Sequence, residues 1–483
     1  MTEDVMTKKI LECFEEISKI PRQSKHEEKI CAWLQDWAKK NDFGVKTDAV
    51  NNIVIQVPGS PGYENSPTLV LQGHVDMVCE KTPDSNHDFS KDPIKFVYDG
   101  DWLTADKTTL GADNGIAIAM ALVLAQEKDM EHPPLELLFT VDEETGLTGA
   151  RSLEPGFIEG KILLNLDSED EGYFTVGCAG GKDTTSTFPL EFSAISENML
   201  AYELNVGGHT GGHSGVDINC HRANAILSLA RVLQKLANLA DIQLASIQGG
   251  SAHNAIPRDA YAILLVKEAD VEKLTSAVSE IEKVLKQEYK NTDPDLAIKF
   301  SPSSKELGKK AVSREQIQKI AQFIQAIPHG INSMSTDMKG LVETSNNLAT
   351  VTITNGKLEI LTSQRSSVMS RLDALTQRIE GIANISGGEA KSGGGYPSWQ
   401  PNMESPLLAR CLKVYRETLN KEPVVDVIHA GLECGIIGSK YEGMDMISFG
   451  PTIKNPHCPD EKIKIDTIGQ IWQFLIALLK SFK

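Results

Sequence analysis

Short apolar runs that end in charged or histidine-bearing loops recur along this chain, each followed by a helix-like stretch. "PTLVLQ" (67–72) runs into "GHVD", "LELLFTV" (135–141) into "DEETG", "KILLNL" (161–166) into "DSED", and "DMISFG" (445–450) into a loop holding "NPHCPDE". Apolar runs of this length read as buried strands, and their alternation with helical segments predicts an α/β domain with a mainly parallel central sheet. The amphipathic pattern of "MTEDVMTKKILECFEEISKI" predicts a first helix, and the apolar "IAIAMALVLA" (116–125) a helix after a glycine-bounded turn.

After "VGCAGGK" (176–182) the pattern changes to strand-like "LAYELNVGG", helix-like 222–238, strands near 242–247 and 260–267, helix-like 271–287 and strand-like "LAIKFS". That β-α-β-β-α-β order predicts a ferredoxin-like split βαβ sandwich. Helical stretches at 313–326 and 367–380 and a hairpin at Asn355-Gly356 extend it. The glycine-rich "SGGEAKSGGGYPSW" (386–399) reads as a linker. The expected organisation is a discontinuous catalytic domain, 1–179 and 391–483, interrupted by an α+β lid and dimerisation domain at 180–390.

The length of 483 residues agrees with two domains, each able to bury its own core. A formal charge of −18 opposes association with a phosphate backbone or an anionic lipid surface, so neither nucleic acid nor membrane is an expected partner. The run at 116–125 is also well short of the roughly 20 residues that span a bilayer. The N-terminus lacks the apolar core of a signal peptide, and the eight cysteines form no C-x-x-C pair. Reduced thiols in a cytoplasm are the expectation.

The chemistry gathers where strands end, which is where doubly wound sheets form ligand sites. Those ends carry His74, Asp76, Asp142, Glu143, Glu144, Asp167, Glu169, Asp170 and His457, and Asp113 precedes the apolar helix. Three adjacent carboxylates after a buried strand are costly unless solvated or compensated by positive charge. Taken singly, each residue has a plain structural reading: Glu143-Glu144 a solvated turn, Asp113 a helix N-cap, His74 a hydrogen-bonded histidine. Their joint appearance after successive strands selects a hydrolytic metal site of imidazole and carboxylate ligands. Two divalent cations would need this surplus of carboxylates and a bridging group, for which Asp113 is suited. One of the paired glutamates could bind metal while its neighbour acts as general base.

"GHVDMV", "GADNG", "DEETG", "NLDSED" and "NPHCPDE" resemble, in order and rough spacing over nearly the whole chain, the co-catalytic metallopeptidases, a family that includes carboxypeptidase G, the carnosinases and the bacterial aminoacyl-histidine dipeptidases. The last branch is the nearest in pattern. The resemblance implies His74 and Asp167 on a first metal, Glu144 and His457 on a second, Asp113 bridging, Asp76 orienting His74, and Glu143 as general base. It implies further that His213 in the "GGHTGGHSGVD" loop (207–217) stabilises the oxyanion, better placed for this than His209. Arg365 in "SQRSS" would clamp the substrate carboxylate, Asn254 in "GGSAHNAIPRDA" would lie near the substrate, and "HAGLECG" (429–435) would form a glycine-rich pocket wall with Glu433 of unclear role.

The resulting expectation is a cytoplasmic, homodimeric metallodipeptidase that hydrolyses Xaa-His and other dipeptides with two divalent ions, zinc foremost and manganese or cobalt as alternatives. An N-acyl amino acid deacylase or carboxypeptidase of the same family is the nearest alternative; a catalytically silent peptide-binding or scaffold protein is the alternative of another class. Patterns for other chemistries are missing: the chain has no G-x-x-x-x-G-K-[ST], no H-E-x-x-H and no G-x-S-x-G. Five glycines in 207–215 also argue against a helix that would pair His209 with His213 as zinc ligands.

Overall fold

The structure, a computed structural model, describes residues 3–305 and 307–483. Met1 and Thr2, part of the stretch expected as a first helix, lie outside the described residues; the helix runs Glu3–Ser18. The chain divides into two units, one of Met1–Cys178, Trp399–Val427 and Leu432–Lys483, the other of Ala179–Ser398 and Ile428–Gly431.

Among the described residues the first unit contains an eight-stranded sheet. Its centre is formed by β1 (Leu69–His74), β2 (Leu135–Thr140), β3 (Ile162–Asn165) and β4 (Asp445–Ser448), adjacent in the order β2-β1-β3-β4 and all parallel. Antiparallel strands flank this block: Ile53–Val57 pairs β2, and Tyr173–Cys178 pairs β4. The expected parallel character therefore holds at the centre and gives way at the edges. Every residue of β1 and β2 is buried, which is why their sequences are apolar without alternation. Parallel alignment brings the carboxyl ends of the four strands to one rim, and the polar loops quoted above all leave from it.

Helix α1 (Ala112–Gln126) packs on β1 and on the helix Glu3–Ser18, and its residues 114–124 are buried. Gly73 permits this: a Cβ there would stand 2.3 Å from Asn114 Oδ1 and 3.0 Å from Ala117 Cβ. The close approach seats the start of α1, and with it Asp113, beside the end of β1. The Asp113-Asn114 peptide bond is cis.

In the second unit the strands Ala297–Pro302, Met199–Gly207, Ala260–Lys267 and Gln243–Gly249 lie side by side, all antiparallel, with helices Ala225–Leu239 and Val271–Glu288 as the crossovers. This is the expected split βαβ order. Leu229, Leu233 and Leu236 of the first helix and Leu274 and Leu285 of the second are fully buried in its core. Asn355 and Gly356, with φ of 51° and 76°, make the hairpin turn between Val342–Thr354 and Lys357–Ser366.

One expectation fails here. Residues 386–399, read as a linker, hold the strand Glu389–Tyr396, which pairs antiparallel with Gly180–Pro189. This edge strand is mostly exposed, so its place rests on backbone pairing and leaves no apolar alternation in the sequence. None of the described helices is long and apolar enough to cross a membrane.

Candidate active site

Two groups of donors converge at the rim of the first unit. His74 Nε2 lies 3.0 Å from Asp113 Oδ1 and 3.5 Å from Asp167 Oδ1. On the other side His457 Nε2 lies 3.2 Å from Asp113 Oδ2 and 2.9 Å from Glu144 Oε2. Asp113 thus presents one oxygen to each imidazole. Ligand atoms of His74, Asp113 and Glu144 fall within 4.8 Å of one another.

Asp76 organises the floor of this arrangement. It is fully buried, and its Oδ1 stands 3.2 Å from His74 Nδ1, an ion-pair contact without the alignment of a good hydrogen bond. The same carboxylate accepts the backbone N–H groups of Glu143 (3.0 Å) and Glu144 (3.2 Å) and the Ser24 hydroxyl (2.8 Å). It caps the short helix α2 (Glu143–Gly146) and fixes the two glutamates relative to His74.

The crowded carboxylates divide their work. Asp142 adopts φ of 49° and turns its side chain back to accept the Thr145 and Thr148 hydroxyls, so it belongs to the turn. Burial drives the Glu143 carboxyl well above the usual range despite the His74 charge, and Asp167, Glu433 and Glu144 reinforce the rise. Asp167 is pushed up to about 6, first by burial, with His74 opposing. Burial works against charge on His74, yet Asp167, Asp113 and Asp76 outweigh it and hold the imidazole well above its ordinary value. Hydrogen bonds to Asp113 and Glu144 raise His457 to about 11. For Asp113, burial is overcome by His457 and His74, which keep its carboxyl well below the usual carboxylate range.

These residues fit divalent cations. Each donor group pairs an imidazole nitrogen with carboxylate oxygens, the ligand chemistry of zinc and manganese. Moreover Glu144 Oε1, on a side chain only 4% exposed, is buried without a hydrogen-bond partner among the described residues. A buried carboxylate oxygen left in that condition is expensive unless a cation meets it.

A layer of polar side chains lies beneath, of which the sequence reading named only Glu433, without a role. Glu433 Oε2 accepts Gln72 Nε2 and the Thr140 hydroxyl, each at 2.6 Å, and Gln72 Oε1 accepts Asn165 Nδ2 at 2.6 Å. Gln72 shares a strand face with His74, two residues on, and Asn165 ends its strand two residues before Asp167. Glu433 is fully buried, which raises its carboxyl to about 7. A signal existed in the period-two spacing of polar residues inside otherwise apolar strands.

His213, Asn254 and Arg365 belong to the second unit. The His213 loop is not helical: Gly212–His213 pairs with Ala255–Ile256 as a short ladder. His213 Nδ1 accepts the N–H groups of Gly215 (3.3 Å) and Val216 (3.1 Å), which leaves the ring proton on Nε2. Burial and then the Arg365 charge lower its pKa, favouring that neutral donor. His209, by contrast, is buried and hydrogen-bonds Ser228. Asn254 is exposed and its backbone carbonyl accepts Ser214 N–H at 2.8 Å. Arg365 is buried and donates from Nη1 to the Tyr396 hydroxyl at 2.6 Å, so the edge strand mistaken for a linker supplies its support.

Comparison with known proteins identifies the family. Residues 198–293 match the peptidase dimerisation domain of M20 proteins. The chain is 39% identical over 468 residues to the cytosol non-specific dipeptidase of Escherichia coli (strain K12), covering 97% of this chain and 96% of that protein. The crystal structure of aminoacylhistidine dipeptidase from Vibrio alginolyticus superposes with a TM-score of 0.88 at 39% identity, over 98% of this chain and 96% of that one. Aminopeptidase PepT of Bacillus cereus shares the fold at a TM-score of 0.57 and 15% identity, over 99% and 98% of the two chains. With a relative this similar along almost its whole length, the chain belongs to the M20 metallopeptidase family, in the branch of the cytosol non-specific dipeptidases.

Proposed function

We propose that this protein is a metal-dependent dipeptidase that hydrolyses Xaa-His and other dipeptides. The single observation that carries the reading is the Asp113 carboxylate, with one oxygen facing His74 and the other facing His457. In this reading His74 and Asp167 would hold one divalent cation, Glu144 and His457 would hold a second, and Asp113 would contribute to both. Cations bound there, zinc foremost and manganese or cobalt as alternatives, would polarise the scissile carbonyl and lower the pKa of water.

The remaining chemistry is the chain's own. Glu143, pushed toward protonation by burial and by its acidic neighbours, is suited to take a proton from the attacking water and pass it to the leaving amine. Asp76 holds the His74 ring so that Nε2 faces the Asp113 and Asp167 oxygens, where it would ligate. His213 donates its Nε2 proton to the oxyanion, and Arg365 pairs with the substrate carboxylate through its planar fork. Asn254 contributes to the substrate-binding loop. Residues 180–390 serve as lid and as the homodimer contact, a reading supported by the dimerisation-domain match within them. The expected location is the cytoplasm, as the name of the Escherichia coli relative states for that protein.

The test is release of histidine from Ala-His and β-Ala-His by purified protein, before and after chelation and after zinc or manganese is restored, with Glu143→Ala as control. Metal-dependent release that the substitution abolishes supports both the activity and the base. No release from folded, metal-loaded protein would refute the dipeptidase reading and direct assays to N-acyl amino acids.

A further inference from the structure

The segment that carries Asp113 is held by two buried charges that touch only its backbone. Glu461 is 2% exposed, and its carboxylate accepts four consecutive N–H groups: Leu110 (2.8 Å) and Gly111 (2.9 Å) on Oε2, Ala112 (2.8 Å) and Asp113 (3.3 Å) on Oε1. Gly111, the residue before α1, has no side chain to cap it, and the backbone is non-helical at Asp113 and Asn114, so the N–H groups of this turn depend on a residue distant in sequence. On the carbonyl side Arg22, also 2% exposed, donates to Val75 O (3.1 Å), Asp76 O (2.9 Å) and Gly111 O. Gly111, at φ of 70°, leaves room for this: a Cβ there would meet Arg22 Nη2 at 2.4 Å.

Three ligand-bearing segments meet in this clamp. Arg22 joins the end of the His74–Asp76 segment to Gly111, and Glu461 joins the Asp113 turn to the loop of His457, four residues before it in sequence. The Glu461 loop is itself closed by the Glu461 N–H on Cys458 O at 2.9 Å. A shift of Asp113 by a fraction of an ångström would alter its distance to both imidazoles at once, and among the described residues neither charged group has another side-chain hydrogen-bond partner that explains its burial.

We propose that Glu461 is a positioning residue for the shared carboxylate, setting the spacing of Asp113 from His74 and His457, with Arg22 as its counter-charge across the turn. The proposal rests on the two-cation reading above. Glu461→Gln is the informative change, because a carboxamide of the same size can accept only two of the four N–H groups and points its own N–H₂ at the other two. The His457 and Asp113 side should suffer most, since both of its loops are tied by Glu461, while His74 and Asp167 remain anchored at strand ends.

The experiment titrates chelator-treated protein with Mn²⁺ by calorimetry, alongside circular dichroism and thermal unfolding. The expected result is a folded Glu461→Gln protein that keeps one cation site near wild-type affinity and binds the second about 10–100-fold more weakly, the range seen when supports of metal ligands are removed. Its kcat should recover as Mn²⁺ is raised while KM for Ala-His stays unchanged, a pattern that general loss of structure would not give. Glu461→Asp, which keeps the charge but withdraws it by one methylene, should fall between the two. Equal affinity of Glu461→Gln and wild type for both cations would overturn the proposal. Should Glu461→Gln not fold, wild-type affinity of Glu461→Asp for both cations would overturn it equally. Wild-type protein that takes up no cations would instead overturn the metal reading beneath it.

Discussion

Replacing Asp76 by asparagine isolates the support of His74 and Glu143 from the metal ligands themselves. The native carboxylate faces four donors, His74 Nδ1 and Glu143 N on one oxygen, Glu144 N and Ser24 Oγ on the other. An asparagine can keep its carbonyl toward His74 and Glu143, and the Ser24 hydroxyl can rotate to accept. The Glu144 N–H is then opposed by the new N–H₂, a buried unpaired donor costing about 1–3 kcal/mol of stability. Two effects on the cation oppose each other. Loss of the Asp76 charge makes His74 a poorer ligand, a change worth about 10–100-fold in affinity, or roughly 1.4–2.7 kcal/mol. The same loss eases the competing protonation of His74, but Asp167 and Asp113 contribute more to that protonation than Asp76 does, so the weakening wins. Calorimetric titration with Mn²⁺, thermal unfolding of the cation-free protein, and kcat at saturating Mn²⁺ read the three consequences separately. Wild-type affinity together with kcat within twofold of wild type would refute the reasoning.

Cation uptake at pH 7 should release protons: His457, raised to about 11, must lose one to ligate, and His74 and Glu143, both held well above their ordinary values in the cation-free protein, add to the release. Affinity should therefore rise as pH increases, and the binding heat should vary with buffer ionisation enthalpy; a buffer-independent heat would contradict this. Arg365→Met should raise KM for dipeptides with a free carboxylate by about 10–100-fold, as expected for one lost charge-assisted contact, and leave carboxyl-amidated substrates unaffected. An equal change for both substrates would remove Arg365 from carboxylate recognition. Leu229→Ala, at a fully buried position of the second unit's core, should cost about 2–5 kcal/mol there and leave Mn²⁺ stoichiometry unchanged, measured by denaturant unfolding and calorimetry.

The central strands were legible because parallel strands buried on both faces are written as unbroken apolar runs, and the ligand candidates because carboxylates and histidines stand where those runs stop. Even there the crowd at 142–144 concealed a division: only the left-handed turn at Asp142 shows that its carboxylate serves Thr145 and Thr148 rather than the rim. The split βαβ order survived for the same reason as the strands, since its helices and strands each bury a face. The edge strand Glu389–Tyr396 buries almost nothing, so its glycines looked like a tether although Tyr396 supports Arg365.

What escaped has a common physical cause. Glu433 and Glu461 lie in segments whose acids drew notice, yet their partners are a glutamine and a threonine hydroxyl in one case and four backbone amides in the other. Neutral side chains and peptide groups carry no chemical label in a sequence, and the register that gathers them joins segments hundreds of residues apart. The carboxylates around Asp113 accordingly form three sets, distinguished only by what each oxygen meets. Some face the imidazoles and suit cations, some accept hydroxyls and amides that hold turns, and Glu461 takes the amides of the turn that presents the shared ligand. A site built in this way loses function through its supports as readily as through its ligands, because an Asp113 displaced from either imidazole can no longer serve both.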